Sequence, residues 1–229
     1  MTKIPKINIV NATRAHSASL FFFHGSGSTG DDVKEWIDII NRGELKFPHI
    51  KIIYPTAPLQ PYTPNNGMSS HVWFDRKAIS IKAAEDTESI NSICNTITEL
   101  IDNENSLGIL NSRIVVAGFS MGGALSLYLS YKYKLSLAGC CATSSFLNKN
   151  SLVYQNLKDN RGTRTPSLLQ IHGTEDPLVP IQWAEETYNN LKQLGVNTQF
   201  VPIAKVDHML SKPGIETFKK WLLNILPEM

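Results

Sequence analysis

Residues Gly118-Phe119-Ser120-Met121-Gly122 spell G-x-S-x-G, with a further glycine at Gly123. A serine hydroxyl is a weak nucleophile. It needs a base within hydrogen-bond reach, and that base needs a third group to hold its tautomer and stabilise its cation. The chemistry that such a set performs is acyl transfer. Where the serine sits on a strand-to-helix turn, its partners follow in the order acid, then histidine. Two histidines follow Ser120. His172 stands in His172-Gly173-Thr174-Glu175-Asp176-Pro177, and His208 in Val206-Asp207-His208-Met209. Chain order and strand-end placement select His208 as base and Asp176 as orienting acid. Asp207 adjoins His208 and is poorly placed to grip its ring; Glu175 is the weaker neighbour of Asp176. His172 reads as a structural histidine at a strand end.

The reaction also needs two preorganised N–H donors for the oxyanion. One is the backbone N–H of Met121, directly after the nucleophile. The other is expected from His24-Gly25-Ser26-Gly27-Ser28, with Ser26 N–H as the candidate. That loop also contains Gly25-Ser26-Gly27-Ser28-Thr29-Gly30, a literal G-x-G-x-x-G. A dinucleotide fold would place a carboxylate at the end of the next strand. Here that strand ends Ile53-Tyr54-Pro55, without one, so the oxyanion reading accounts for more of the chain.

These residues need a scaffold that brings distant loops together. Short apolar runs at 19–23, 50–54, 113–117, 135–142, 167–171 and 198–203 read as buried strands. Amphipathic spacing over 31–41, 85–105, 181–194 and 213–226, and the run 124–131 after Ser120, reads as helix. Continuous apolar strands alternating with helices imply a mostly parallel central sheet covered by helices on both faces. Residues 6–14 could add an antiparallel edge strand. The segment from Pro55 to Phe74 carries four prolines and Asn65-Asn66-Gly67, so it can be neither a regular helix nor a central strand. It follows a strand's carboxyl end, where chemistry collects in such sheets. Trp73, Phe74, Leu178 and Val179 are the candidate substrate-binding residues, and each could equally be ordinary core.

Composition narrows the classes. The 229 residues are 42% hydrophobic and 18% charged, which fits one α/β domain over 1–229. The net charge is +2 and no basic stripe is present, so no nucleic-acid partner is expected. Three cysteines, two of them adjacent, suggest buried thiols in a reducing compartment rather than a disulfide framework. The N-terminal residues lack a long apolar leader, and no glycine follows Met1, so a cytoplasmic protein without a stable membrane anchor is expected.

The residues His24 to Gly27, Tyr54 to Pro58, Trp73-Phe74-Asp75, Gly118 to Gly123, His172-Gly173 with Asp176, and His208 fall in the order of the acyl-protein thioesterase family. Further runs, at 16–20, 50–58, 144–149 and 183–187, resemble its lysophospholipase-like branch. The resemblance spans nearly the whole chain. It implies an α/β-hydrolase fold without a large cap and hydrolysis of acyl esters and thioesters, including removal of palmitoyl groups from protein cysteines. It places the catalytic set on Ser120, Asp176 and His208 and the oxyanion donors on Ser26 and Met121. No metal or cofactor is implied, and the partner is an acylated protein or a small acyl ester or thioester. Lysophospholipase and small-molecule carboxylesterase are alternatives on the same fold; a non-enzymatic binding protein is the competing class. Oligomeric state is left open, a homodimer included. Two positions depart from the family pattern: Ser28 stands where Asp is common, and Met121 where Gln is common.

Overall fold

The computed structural model describes residues 3–229. The expectation drawn from Met1 and the residue after it lies outside the described residues. Seven strands form one sheet: β1 (Lys6–Val10), β2 (Ala18–Phe23), β3 (Ile50–Thr56), β6 (Ile114–Phe119), β7 (Gly139–Thr143), β8 (Ser167–Gly173) and β9 (Thr198–Ile203). Their order is β1-β3-β2-β6-β7-β8-β9. β1 runs antiparallel to β3, and every other pairing is parallel. The expected edge strand therefore forms, over a shorter span than residues 6–14.

Side-chain alternation along the central strands divides the core in two. Phe21, Phe23, Ile114 and Val116 point to one face, where they meet Ile93, Ile97 and Ile101 of α2 (Thr87–Ser106) and Leu125 of α3 (Met121–Tyr128). Leu20, Phe22, Val115 and Ala117 point to the other. There they meet Val33 and Ile37 of α1 (Gly30–Asn41) and Phe218 and Leu222 of α6 (Lys212–Ile225). Each such fully buried large side chain contributes roughly 1.5–3 kcal/mol. Two further helices, α4 (Leu152–Asp159) and α5 (Ile181–Gln193), add Leu157 and Leu191 to the first face. Helix α4 escapes the sequence reading because its eight residues are too few to show a period.

Two expectations need adjustment. The strand expected over 135–142 begins only at Gly139. The helical run after Ser120 ends in a π turn, Leu129–Tyr133, and residues 134–137 are spent turning, with Leu137 N–H bonded to Lys134 O. The proline-rich segment begins inside the main sheet, because β3 runs on through Pro55 and Thr56 opposite Ile7 and Lys6 of β1. It holds β4 (Leu59–Pro61) and β5 (Ser69–His71), paired antiparallel outside the main sheet. The three cysteines are free and buried.

Candidate active site

Ser120 joins β6 to α3 in a strained conformation, φ 54° and ψ −118°. Such a backbone costs about 1–3 kcal/mol and persists only where its surroundings over-determine it. They do. Ser120 N–H bonds Thr143 O at 2.8 Å, and Ala124 N–H bonds Ser120 O at 3.1 Å. Gly122 permits the closest approach: a Cβ there would stand 2.2 Å from Phe23 O, and one on Gly118 would stand 2.3 Å from the Gly122 carbonyl carbon. The turn can therefore press against the end of β2, from which the loop from His24 to Ser28 departs.

His208 Nε2 lies 3.0 Å from Ser120 Oγ, and His208 Nδ1 lies 2.7 Å from Asp176 Oδ2. A carboxylate oxygen only accepts, so in the neutral ring Nδ1 carries the proton and Nε2 offers its lone pair to the serine. The other carboxylate oxygen, Oδ1, accepts from the N–H groups of Leu178 at 3.0 Å and Val179 at 2.8 Å. Both oxygens are thus engaged on a side chain without solvent exposure. The His208 ring packs on Phe119, centroids 4.9 Å apart, and Phe119 is braced edge-on by Trp36. Asp207 and Glu175 are exposed, and no hydrogen bond joins either carboxylate to His208 among the described residues.

His172 is buried beneath this set. Its Nε2–H donates to Val179 O at 2.8 Å and lies 3.3 Å from Asp176 Oδ2. Burial lowers its pKa, so the ring is held neutral. It is a buried histidine at a strand end, as expected from the sequence, yet it also lies against Asp176.

The loop from His24 to Ser28 is held from behind by the proline-rich segment. Ala57 N–H donates to His24 Nε2 at 2.9 Å, which leaves Nδ1–H to donate to Gly25 O at 2.7 Å. Desolvation pushes the His24 pKa down to about 4, so this ring too is neutral. Trp73 Nε1–H donates to His24 O at 2.8 Å, and Gly27 N–H donates to His71 O at 2.9 Å. Ser26 ends up exposed beside Met121, its Oγ 3.7 Å from the methionine sulfur. Met121 is the first residue of α3, where a backbone N–H has no carbonyl one turn back to bond. Thr29 rather than Ser28 caps α1, its Oγ1 accepting from Asp32 N–H at 3.1 Å.

A cavity of about 160 Å³ opens at Ser120 and His208, lined also by Ser26, Tyr62, Arg76, Ile79, Phe146, Leu178 and Val179. Leu178 and Val179 thus fall where the sequence reading puts substrate. Trp73 and Phe74 do not line this cavity. Both are almost wholly buried in the core, Trp73 against Phe23 and Phe74 against Tyr128. Of the two readings the sequence left open for them, core is the one that fits their burial, and the indole's bond to His24 turns Trp73 inward as a prop for the loop. Arg76, two residues beyond Phe74, reaches the cavity instead. The sequence carries no local signal for it, because a lone arginine after a loop reads as solvated surface.

The sequence profile of the phospholipase/carboxylesterase family matches residues 5–226. Lysophospholipase-like protein 1 of Mus musculus is 48% identical over 219 residues, covering 96% of this chain and 91% of that protein. Acyl-protein thioesterase 1 homolog 1 of Dictyostelium discoideum is 34% identical over 218 residues, covering 93% and 92%. The crystal structure of Zea mays acyl-protein thioesterase 2 superposes with a TM-score of 0.77 over 96% of this chain and 99% of that one, at 24% identity, a likeness of fold alone. With its parallel sheet, its helices on both faces and this match along nearly its entire length, the chain belongs to the phospholipase/carboxylesterase family of the α/β-hydrolase fold.

Proposed function

We propose that the chain is a serine hydrolase that cleaves acyl esters and thioesters through an acyl-enzyme. The observation that carries this reading is the unbroken contact from Ser120 through His208 to Asp176. In the first step His208 Nε2 takes the Ser120 proton as Oγ attacks the acyl carbonyl. The N–H groups of Ser26 and Met121 receive the oxyanion, and Asp176 stabilises the imidazolium. His208 then protonates the departing alkoxide or thiolate. Water, deprotonated by His208, attacks the acyl carbonyl, and collapse of that adduct releases the acid and restores the serine. No step draws on a cofactor.

The size of the cavity favours the short end of the acyl range. About 160 Å³ is close to the space that holds one benzene-sized molecule. A palmitoyl chain would need the walls at Ile79, Phe146 and Leu178 to move apart. This supports small acyl esters and thioesters as substrates over long-chain acyl proteins and lysophospholipids. Among the described residues no helix is long and apolar enough to cross a membrane.

The test is a series of thioesters of one thiol, from acetyl to palmitoyl, read against a serine-reactive phosphonate. The probe should label the native protein and spare Ser120→Ala, and kcat/KM should peak at acyl chains of a few carbons. Equal labelling of both proteins would remove Ser120 as nucleophile. A maximum at palmitoyl would overturn the short-chain reading while leaving the hydrolase reading intact.

A further inference from the structure

Arg76 is the one cationic side chain in the wall of this cavity besides the histidine that serves as base. Its guanidinium lies over Phe74, 5.1 Å from the ring centroid, and over Phe146, 5.7 Å from the centroid. Aromatic contact occupies the faces of a guanidinium and leaves its N–H donors, which lie in the plane, free to bond elsewhere. Among the described residues those donors meet no carboxylate within ion-pair distance and make no hydrogen bond. Glu85 is the acid nearest at hand, since its backbone bridges Arg76. Its carboxylate is already engaged by Tyr128 OH at 2.7 Å and Leu152 N–H at 2.9 Å. Asp75, the sequence neighbour, is engaged by the N–H and hydroxyl of Thr63.

The result is a positive charge held in place by two rings, with no ion-pair partner within 4 Å among the described residues, on a wall that also presents Ile79, Leu178 and Val179. A guanidinium that served only to pack would be as well replaced by an uncharged chain, since partial desolvation without a counter-charge is unfavourable. An anion entering the cavity would meet a guanidinium that two rings already hold in place, so less ordering is left to do before a two-pronged contact forms.

We propose that Arg76 is a specificity residue that selects substrates carrying an anionic group, a carboxylate or phosphate, within a few bonds of the scissile carbonyl. The proposal rests on the hydrolase reading of the same cavity. The anion could sit on the acyl side, as in a half-ester of a short dicarboxylic acid, or on the leaving group, as in an acidic thiol or a phosphate-bearing alcohol. Both present the same chemistry to Arg76, and substrate pairs separate them.

The acyl arm compares hemisuccinyl and pentanoyl esters of one umbelliferone leaving group. The leaving-group arm compares butyryl thioesters of 3-mercaptopropionate and of a neutral thiol of equal length. Each arm is measured for the native enzyme, Arg76→Lys and Arg76→Met. The expected result is a charged-to-neutral ratio of kcat/KM that falls about tenfold to a hundredfold in Arg76→Met in one of the two arms, whatever happens to the absolute rates. Arg76→Lys, which keeps the charge and loses the planar fork, should retain part of the preference. Ratios equal in the native enzyme and Arg76→Met in both arms would overturn the proposal. Should the variants not fold, the native protein decides. Free glutarate should slow phosphonate labelling of Ser120 at concentrations where 1-pentanol does not, and equal behaviour of the two would overturn it. Failure of the native enzyme to hydrolyse even the neutral esters, or to be labelled at Ser120, would instead strike the underlying hydrolase reading.

Discussion

His172 Nε2 lies 3.3 Å from Asp176 Oδ2, the same oxygen that His208 Nδ1 approaches to 2.7 Å. One carboxylate oxygen thus faces two imidazoles, one neutral and buried, the other beside Ser120. His172 also bonds the carbonyl of Val179, whose N–H bonds the other Asp176 oxygen. Asp176 is held by a small closed network rather than by one contact.

Replacing His172 by Phe should therefore do more than loosen the core. It removes one polar neighbour of Asp176 and leaves the buried Val179 carbonyl without its donor. We expect a loss of about 1–3 kcal/mol in stability and a kcat about fivefold lower, with KM little changed. Steady-state kinetics at matched folded fraction checks this; native kcat in a merely less stable protein would show that His172 acts on folding alone.

Asp176→Asn should lower kcat by about 10⁴-fold, the loss known for the equivalent change in a serine protease, because the amide no longer selects the productive tautomer. Asp207→Asn should change turnover by no more than about threefold, since that side chain is exposed and surface changes are usually mild. The reverse outcome would transfer the acid's role to Asp207.

The buried His24 makes stability depend on pH. Its folded pKa, about 4, lies below the reference value of 6.5. Between those values the unfolded chain binds a proton that the folded chain refuses, so stability is full above about pH 6.5 and declines as pH falls towards 4. The group contributes roughly 3 kcal/mol over that window. Burial shifts His172 in the same direction. Urea midpoints at pH 7 and pH 4.5 should differ clearly in the native protein and less in His24→Gln. Equal pH sensitivity in both proteins would contradict the assignment.

Gly122→Ala should cost at least about 3 kcal/mol or prevent folding, because the added carbon would meet the Phe23 carbonyl oxygen at 2.2 Å and backbone cannot yield cheaply. Gly162→Ala is the control. It has φ 82° and open space around it, so only the left-handed backbone is penalised, by about 1–2 kcal/mol. Denaturation midpoints of the two variants would rank the two effects, and a Gly122→Ala as stable as Gly162→Ala would show that the turn has room.

That Ser120, Asp176 and His208 stand at strand ends could be read from the chain because local pattern marks such positions. An apolar strand, a glycine-flanked turn and the start of a helix lie within a few residues of the serine. Asp176 and His208 each sit just past the end of another apolar strand. The same local signals show the alternating layers, since strand and helix differ in the period of their apolar residues. Helix α4 and the β4–β5 pair were beyond such reading. One is too short to show a period, and the other is a non-local pairing inside a segment dominated by proline.

What the tertiary structure alone decided is which side chains share space. Trp73 and Phe74 have the composition of a pocket wall, but hydrogen bonding to His24 and packing on Tyr128 draw them into the core. Arg76 has the composition of solvated surface, yet two aromatic rings, one of them 70 residues away at Phe146, hold it over the cavity. The residue types at Ser120, Asp176 and His208 determine what reaction the chain can attempt, because each group's chemistry is its own. Which acyl group enters depends on a void between loops from distant parts of the chain, and its shape is a property of packing that no local stretch of sequence contains.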